Sequence, residues 1–415
     1  MKLKQLEEDF IVEETIDSLN ISEKKSNYLV FTLEKKGIET FTLLKLISRK
    51  YRINTKDFGI AGLKDKHALT RQYLTIPVKY YGHTEKFRPK LEEKNYSLKF
   101  LGFTDKKLSI GDHEYNKFTI TVRDIKRREL EEIRKKCDEV EESGVPNYFD
   151  SQRFGSVGFD KKTNRFLFIE KFVMKRDYET AVKIFLTSSQ KTESREMKKS
   201  KIFIKDNWKN ISGKKISPKE IKSEIHDEMS KKIILEYYST DWLDAFLSIP
   251  SHLRELYVSA YQSHLWNECI KELLRESIDE NNLMEIKYNV GKLVYYHDCA
   301  KETLDAIPRS FQMIGDGTKI EENIGKDSFP ESRIISKILS EEQMRLEDFK
   351  IRKETGNFFK KYSRDVIVIP KEFSYRIEHD EINDKGKKDT YKAIVSFILQ
   401  KGSYATCITK KIFNQ

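Results

Sequence analysis

Apolar and polar positions alternate from the first residues of this chain. Phe10-Ile11-Val12-Glu13-Glu14 has the period of a short strand, and Tyr28 to Leu33 has it again before Lys36-Gly37. From Glu39 to Arg52 the period becomes helical, with Phe41, Leu44, Ile47 and Tyr51 on one face. Two strand-like stretches follow, Asp57 to Ala61 and Tyr73 to Val78, on either side of a glycine-led turn, Gly62 to Gln72. Leu108 to Val122 reads as two strands around a Gly111-Asp112 turn, the second alternating through Phe118, Ile120 and Val122. An amphipathic helix, Arg128 to Glu142, then points Leu130, Ile133, Cys137 and Val140 inward and stops at Gly144 and Pro146. The short connections predict an α+β fold in which helices cover a sheet.

After Gly155 the character changes. Residues 175–240 are rich in lysine and glutamate, with a weak core helix at Tyr178 to Leu186. Lys191 to Lys232 is hydrophilic enough for a mobile excursion or a helical surface insert. Leu256 to Leu274 is a strong amphipathic helix carrying Tyr261, Leu265, Trp266, Cys269 and Leu273. A strand pattern returns at Tyr391 to Leu399, followed by a Gly402-Ser403 turn and a second alternation, Tyr404 to Ile408. The middle therefore reads as a domain inserted into the first, whose sheet the C-terminal strands complete.

The 415 residues suffice for two or three domains. Charged residues make up 35% of the chain against 38% hydrophobic, so 25 Phe and 20 Tyr must supply much of the core. A formal net charge of +11 points to a polyanionic partner, RNA or DNA first, or else to a lysine-rich surface without one. Cys137, Cys269, Cys299 and Cys407 lie far apart and form no Cys-x-x-Cys pair, which suits buried thiols in a reducing compartment. The eight histidines show no metal-ligand spacing. Met1 to Phe10 lacks the apolar run of a secretory signal, and no segment reaches the roughly 20 apolar residues of a membrane helix. A cytoplasmic protein with no membrane contact is expected.

Four segments carry candidate chemistry. Asp65 stands between Lys64 and Lys66; cationic neighbours favour an ionised carboxylate, which suits a nucleophile or general base facing an anionic substrate. The ordinary reading is a solvated turn or a helix cap. Asn147-Tyr148-Phe149 and Gln152-Arg153-Phe154-Gly155 follow a helix stop. Aromatic faces there could stack on unpaired bases and the Asn147 amide could read a uracil edge, or the loop could fold over its own aromatics as a plug. Lys401-Gly402-Ser403-Tyr404 alone is a turn with an edge tyrosine, and Tyr257 to Asn267 has the spacing of a core helix. Gly59-x-x-Gly62-x-Lys64 lacks the spacing of a phosphate loop, and neither Gly-x-Gly-x-x-Gly nor Gly-x-Ser-x-Gly occurs.

In this order, the segments resemble the TruD family of tRNA pseudouridine synthases. Gly62-Leu63-Lys64-Asp65-Lys66-x-Ala68-x-Thr70-x-Gln72 looks like its catalytic motif, Asn147-Tyr148-Phe149 with Gln152 to Gly155 like its second, and Gly402 to Thr406 like its C-terminal one. Glu8-Asp9-Phe10, Asn116-x-Phe118 before Arg123, and Tyr261-Gln262-Ser263 are weaker matches. Asp150 stands where many relatives have glycine, Tyr404 where some have phenylalanine, and the middle is longer than in compact bacterial members. The resemblance implies a catalytic domain of residues 1–156 and 376–415, with a central, mainly antiparallel sheet flanked by helices, and an inserted α/β domain of residues 157–375. It implies isomerisation of uridine to pseudouridine in tRNA, at position 13 of the D-arm first or else at another tRNA site, by a monomer that needs no cofactor. Asp65 would be the nucleophile, or would take a proton from the sugar. Lys4 or Lys64 would keep it charged, Lys4 being the better match. Phe10 and Tyr404 would stack the flipped uracil, Asn147 would bond its edge and Phe149 would support the pocket. Lysines of the inserted domain and the stretch Arg123 to Arg128 would bind phosphates. A non-catalytic RNA-binding or RNA-chaperone protein on the same scaffold is the alternative; an RNA methyltransferase lacks its cofactor motif.

Overall fold

The computed structural model describes every residue except His67, Pro89, Ser156, 161–164, 189–192, 321–329, Asn357, Lys385, 387–388 and Gln415. His67, inside the expected catalytic motif, and Lys191, which begins the hydrophilic stretch, thus lie outside the described residues. The chain divides into two compact units, Met1–Val145 with Val368–Gln415, and Pro146–Ile367. The expected borders were 156/157 and 375/376. The return point falls earlier because Lys371–His379 pairs with the strand that follows it.

The first unit is built on strands β1 (Lys2–Leu3), β2 (Phe10–Thr15), β3 (Tyr28–Lys35), β4 (Leu69–Pro77), β5 (Lys90–Glu93), β6 (Tyr96–Thr104), β7 (Tyr115–Lys126), β8 (Lys371–His379) and β9 (Thr390–Gln400). They form one sheet in the order β8-β9-β7-β2-β4-β3-β6-β5, with β1 also on β7. β2 and β4 run parallel, with Ile11 opposite Leu69. The other pairings are antiparallel. As expected, the C-terminal strand completes the N-terminal sheet: β9 pairs along β7 from Thr390–Lys126 to Gln400–Tyr115.

Register decides what faces inward. Phe10, Val12 and Glu14 of β2 lie opposite Ile120, Phe118 and Asn116 of β7, and these lie opposite Val395, Phe397 and Leu399 of β9. On the other side Thr70 and Gln72 of β4 continue the row to Lys35 and Leu33 of β3. Helix α1 (Thr40–Tyr51) covers this face at β3, burying Leu43, Leu44 and Ile47 against Phe31, Leu33, Leu74 and Ile76. Its N-terminus is capped by the Glu39 carboxylate, which accepts from the Phe41 and Thr42 amides. Helices α2 (Leu130–Ser143) and α3 (Ala405–Phe413) lie at the β8 end. Tyr375 of β8 donates to Asp138 of α2, and Lys411 of α3 pairs with Glu139 of α2.

Several local expectations need correction. Phe41 is 51% exposed, so the buried face of α1 runs through Leu43, Leu44 and Ile47 instead. Asp57 to Ala61 is no strand; only Gly59 bridges to Thr75, so close that a Cβ there would clash with Thr75 Oγ1. Leu108 to Asp112 is likewise a loop, tied by the Gly111 amide to the Ala61 carbonyl at 2.8 Å. Tyr404 to Ile408 starts a helix: its alternation is the opening of a 3.6-residue period that buries Ala405, Ile408 and Ile412.

Arg123 of β7 is not available to a phosphate. Its guanidinium bonds Asp9 Oδ1 at 2.7 and 2.8 Å and Asp380 Oδ1 at 3.2 Å, all buried. Asp380 also accepts from the Asp124 amide and the Asn383 side chain.

The second unit is mainly helical, with two-stranded antiparallel sheets such as Leu283–Tyr288 with Gly291–Tyr296. The hydrophilic stretch is a helical insert: Arg195–Asp206, Trp208–Ser212, Pro218–Glu224 and Glu228–Ser239 bury Ile204, Ile211, Ile221 and Ile233 beneath their lysines. The long helix Ser251–Ser277 buries Tyr261, Leu265, Trp266, Cys269 and Leu273, the core role its spacing suggests. Among the described residues no helix is long and apolar enough to cross a membrane.

Two stability outcomes follow. Arg123→Ala should cost about 3–5 kcal/mol in urea unfolding, because two carboxylates would stay buried without their counter-charge. Burial alone would raise the Asp380 carboxyl, but Asn383, the Asp124 amide and Arg123 hold it below its usual value. Its contribution is therefore full above an unfolded value of about 3.9 and is lost as the pH falls through its lower folded value. The stability gap between wild type and Asp380→Asn should accordingly shrink below about pH 4.

Candidate active site

The segment Gly62–Lys66 lies against the inward face of the first unit, bonded to Lys35, Gln72, Glu14 and Thr40. The inward residues of β2, β3 and β4 hold it there. Gln72 donates to the Gly62 carbonyl at 3.3 Å, and Thr40 Oγ1 accepts from the Lys64 amide at 3.4 Å. Lys35 Nζ donates to the carbonyls of Ile38, Lys64 and Asp65 at 3.1, 3.2 and 3.0 Å. Gly62 lies close under two side chains: a Cβ there would come 3.2 Å from His113 Cε1 and from Lys64 Nζ, so both would have to yield by a few tenths of an ångström. Burial and the Lys64 charge keep His113 below its usual pKa, against its bond to the Ala61 carbonyl, so the ring is neutral near pH 7 and Nδ1–H donates.

Asp65 holds its carboxylate outward from this fixed backbone. Lys4 Nζ donates to Asp65 Oδ2 at 2.8 Å, and the two side chains are 30% and 29% exposed. The same ammonium lies 4.0 Å from the centroid of the Phe10 ring. Phe10 is itself buried, its ring set edge-on to Phe118. Lys4 reaches this position from a left-handed backbone conformation, φ 54°, just ahead of a turn closed by Asp9 Oδ2, which accepts from the Leu6 amide. The structure thus brings Asp65, Lys4 and Phe10 together.

Lys64 is placed differently from its expected role. Its ammonium turns away to Glu14 Oε1 at 2.6 Å in a buried pair, and Glu14 Oε2 accepts from the Tyr73 amide. Sequence reasoning overlooked both Glu14 and Lys35. Their signal was a charge at an inward position of an alternating strand, in line with Phe10 and Val12, and with Phe31 and Leu33. Burial lowers the Lys35 pKa, the Asp65 and Glu39 carboxylates push it back, and Lys64 adds to the lowering.

Tyr404 is half-buried at the N-terminal cap of α3, beyond the end of β9 where Gln400 and Thr15 both pair with Tyr115. Asn147 and Phe149 belong to the second unit, and there the loop is folded inward. The Asn147 amide donates to the Asp365 carbonyl at 3.0 Å and accepts from Arg364 at 2.6 Å. Phe149 exchanges two backbone bonds with the Asn267 side chain and packs its ring under Arg364, 4.3 Å from the guanidinium. Tyr148 and Phe154 are buried, with Tyr148 donating to the Val294 carbonyl.

The family described as tRNA pseudouridine synthase D (TruD) matches residues 1–412. The chain belongs to the TruD family of tRNA pseudouridine synthases. It is 40% identical over 418 residues to a probable tRNA pseudouridine synthase D of Methanocaldococcus jannaschii, covering all of this chain and 92% of the relative. It is 38% identical over 421 residues to one of Methanococcus maripaludis, covering both chains fully. The crystal structure of a putative tRNA pseudouridine synthase D (TruD) from Methanosarcina mazei superposes with a TM-score of 0.70 at 27% identity, covering this whole chain and 93% of that one. The mixed α+β architecture, a mostly antiparallel sheet flanked by helices, is the TruD fold.

The two lysines of this TruD-family site should separate by stability. Lys64→Ala strands the buried Glu14 carboxylate and should cost about 3–5 kcal/mol. Lys4→Ala breaks a partly solvated pair and should cost no more than about 1 kcal/mol. Equal losses in thermal melts would contradict this division.

Proposed function

We propose that the chain isomerises uridine to pseudouridine in tRNA, at position 13 of the D-arm, with Asp65 as nucleophile. The observation that carries this reading is the Asp65–Lys4 ion pair: a part-exposed carboxylate on a backbone fixed from beneath. An adjacent ammonium favours the charged, nucleophilic form of a carboxylate. Attack by Asp65 on the ribose C1′ forms an ester to the carboxylate and releases uracil as the bond between N1 and C1′ breaks. The base turns while held in the site, and its C5 bonds to C1′ as the ester bond breaks and the Asp65 carboxylate is restored. The proton leaves C5 and N1 takes one up, so product and substrate are isomers and no oxidant or reductant enters.

Membership of the TruD family and similarity to the archaeal relatives support tRNA as the substrate. Tyr404 is the proposed stacking partner of the displaced base. The proposed form is a cytoplasmic monomer acting without a cofactor.

Purified protein should convert uridine in a tRNA transcript, read by carbodiimide probing. Asp65→Asn should lower the rate at least about 1,000-fold, a barrier increase of roughly 4 kcal/mol, with tRNA affinity and melting temperature near wild type. An active Asp65→Asn protein would exclude the assignment, and tRNA binding by an inactive wild type would favour an RNA-binding role. Tyr404→Phe should stay close to wild type, whereas Tyr404→Ala should lose about 10–100-fold, the worth of one stacked base.

A further inference from the structure

We infer that Lys35 is a positioning residue for this reaction, its buried ammonium holding the peptide of Asp65 where the carboxylate can meet both Lys4 and the RNA. The inference rests on the reading of Asp65 as the nucleophile and adds a residue to it.

Lys35 ends β3 on the inward face, directly opposite Thr70 of β4, and is 1% exposed. Its ammonium carries three N–H donors, and each has a carbonyl: Ile38, Lys64 and Asp65 at 3.1, 3.2 and 3.0 Å. A neutral amine would have only two hydrogens for these three acceptors, so the charged form is the one that completes the set.

The contrast with Lys64 locates the role. Lys64 has the Glu14 carboxylate to offset its burial, whereas the three acceptors of Lys35 are backbone carbonyls. A buried cation whose three hydrogen bonds all go to peptide oxygens, with the Asp65 and Glu39 carboxylates acting on it only through space, is a poor source of stability compared with an apolar side chain of similar size. What it does is join two segments. Ile38 leads into the Glu39 cap of α1, and Lys64 and Asp65 form the turn. The Thr40 hydroxyl adds a second link from α1 to the Lys64 amide. Lys35 thereby clamps the Asp65 backbone to the start of α1 from beneath, while Lys4 takes the carboxylate from the N-terminal turn. Displacement of a reacting group by about 1 Å can cost on the order of 100-fold in rate, so loss of this clamp should appear in the chemical step.

The test measures single-turnover pseudouridine formation and the dissociation constant for a tRNA transcript, for wild type, Lys35→Met, Lys35→Gln and Ile47→Ala. Methionine removes charge and donors, and glutamine keeps two N–H donors without charge. Ile47→Ala destabilises the core beneath α1 without touching the turn. The inference expects both Lys35 variants to bind tRNA within about threefold of wild type but to turn over at least about 100-fold more slowly. Ile47→Ala should keep the wild-type rate below its melting temperature. If Lys35→Met does not fold, Lys35→Gln decides. A folded Lys35 variant with wild-type rate, a loss confined to tRNA affinity, an equal rate loss in Ile47→Ala, or failure of Lys35→Gln to fold would each overturn the inference. Active wild type with inactive Asp65→Asn alongside a fully active Lys35 variant would reject Lys35 alone. An inactive wild type would reject the functional reading itself.

Discussion

A single guanidinium joins the parts of the first unit that lie farthest apart in sequence. Arg123, in the long central strand, is shared by Asp9, just ahead of β2, and Asp380, just after β8. Each of the three charges would be costly to bury alone, and together they leave little freedom in how the N- and C-terminal segments meet β7. Lys2 pairs opposite Arg123 in the sheet, and Asp9 also closes the turn that follows Lys4. The position of the Lys4 ammonium, and with it the environment of Asp65, is thus set by a charge network buried in the sheet.

Three lysines around the Asp65 turn show how environment divides the work of one residue type. Lys4 stays part-exposed and takes the Asp65 carboxylate; Lys64 is buried and neutralises Glu14; Lys35 is buried and holds only backbone. The first leaves a carboxylate within reach of solvent and ligand. The other two fix the turn that presents it. A flexible loop would dissipate the geometry that a nucleophile needs, and here the loop backbone is tied at Gly62, Lys64 and Asp65.

Much of this was legible in the sequence, for physical reasons. β2, β3, α1, α2 and β7 appeared because their periods are strong and their ends carry turn or cap residues. The closure of the sheet by β9 was readable because its alternation resumes after a long non-alternating middle. Asp57 to Ala61 misled because a short apolar run buries as well in a loop as in a strand, and Leu108 to Asp112 because its apolar residues do not share a buried face: Leu108 is buried and Ile110 is exposed. Tyr404 to Ile408 misled because five residues cannot separate a period of 2 from the start of one of 3.6. The motif order brought Asp65 and Lys4 forward, but not what each lysine touches. Periodicity marks Lys35 and Glu14 only as charges in apolar rows, and the partners that make them tolerable, three carbonyls and the Lys64 ammonium, come from folding. The Asn147 loop shows the same limit: its residue types suit base recognition, but that the Asn147 amide touches Asp365 and Arg364 comes only from folding.

The central claim, that the Asp65 turn isomerises uridine in tRNA, is tested most directly in the cell. Pseudouridines would be mapped across the tRNAs of a strain lacking this protein, then complemented with wild type or with Asp65→Asn. The account predicts that pseudouridine disappears at position 13 and returns only with the wild-type chain. An unchanged tRNA profile, or restoration by Asp65→Asn, would contradict it.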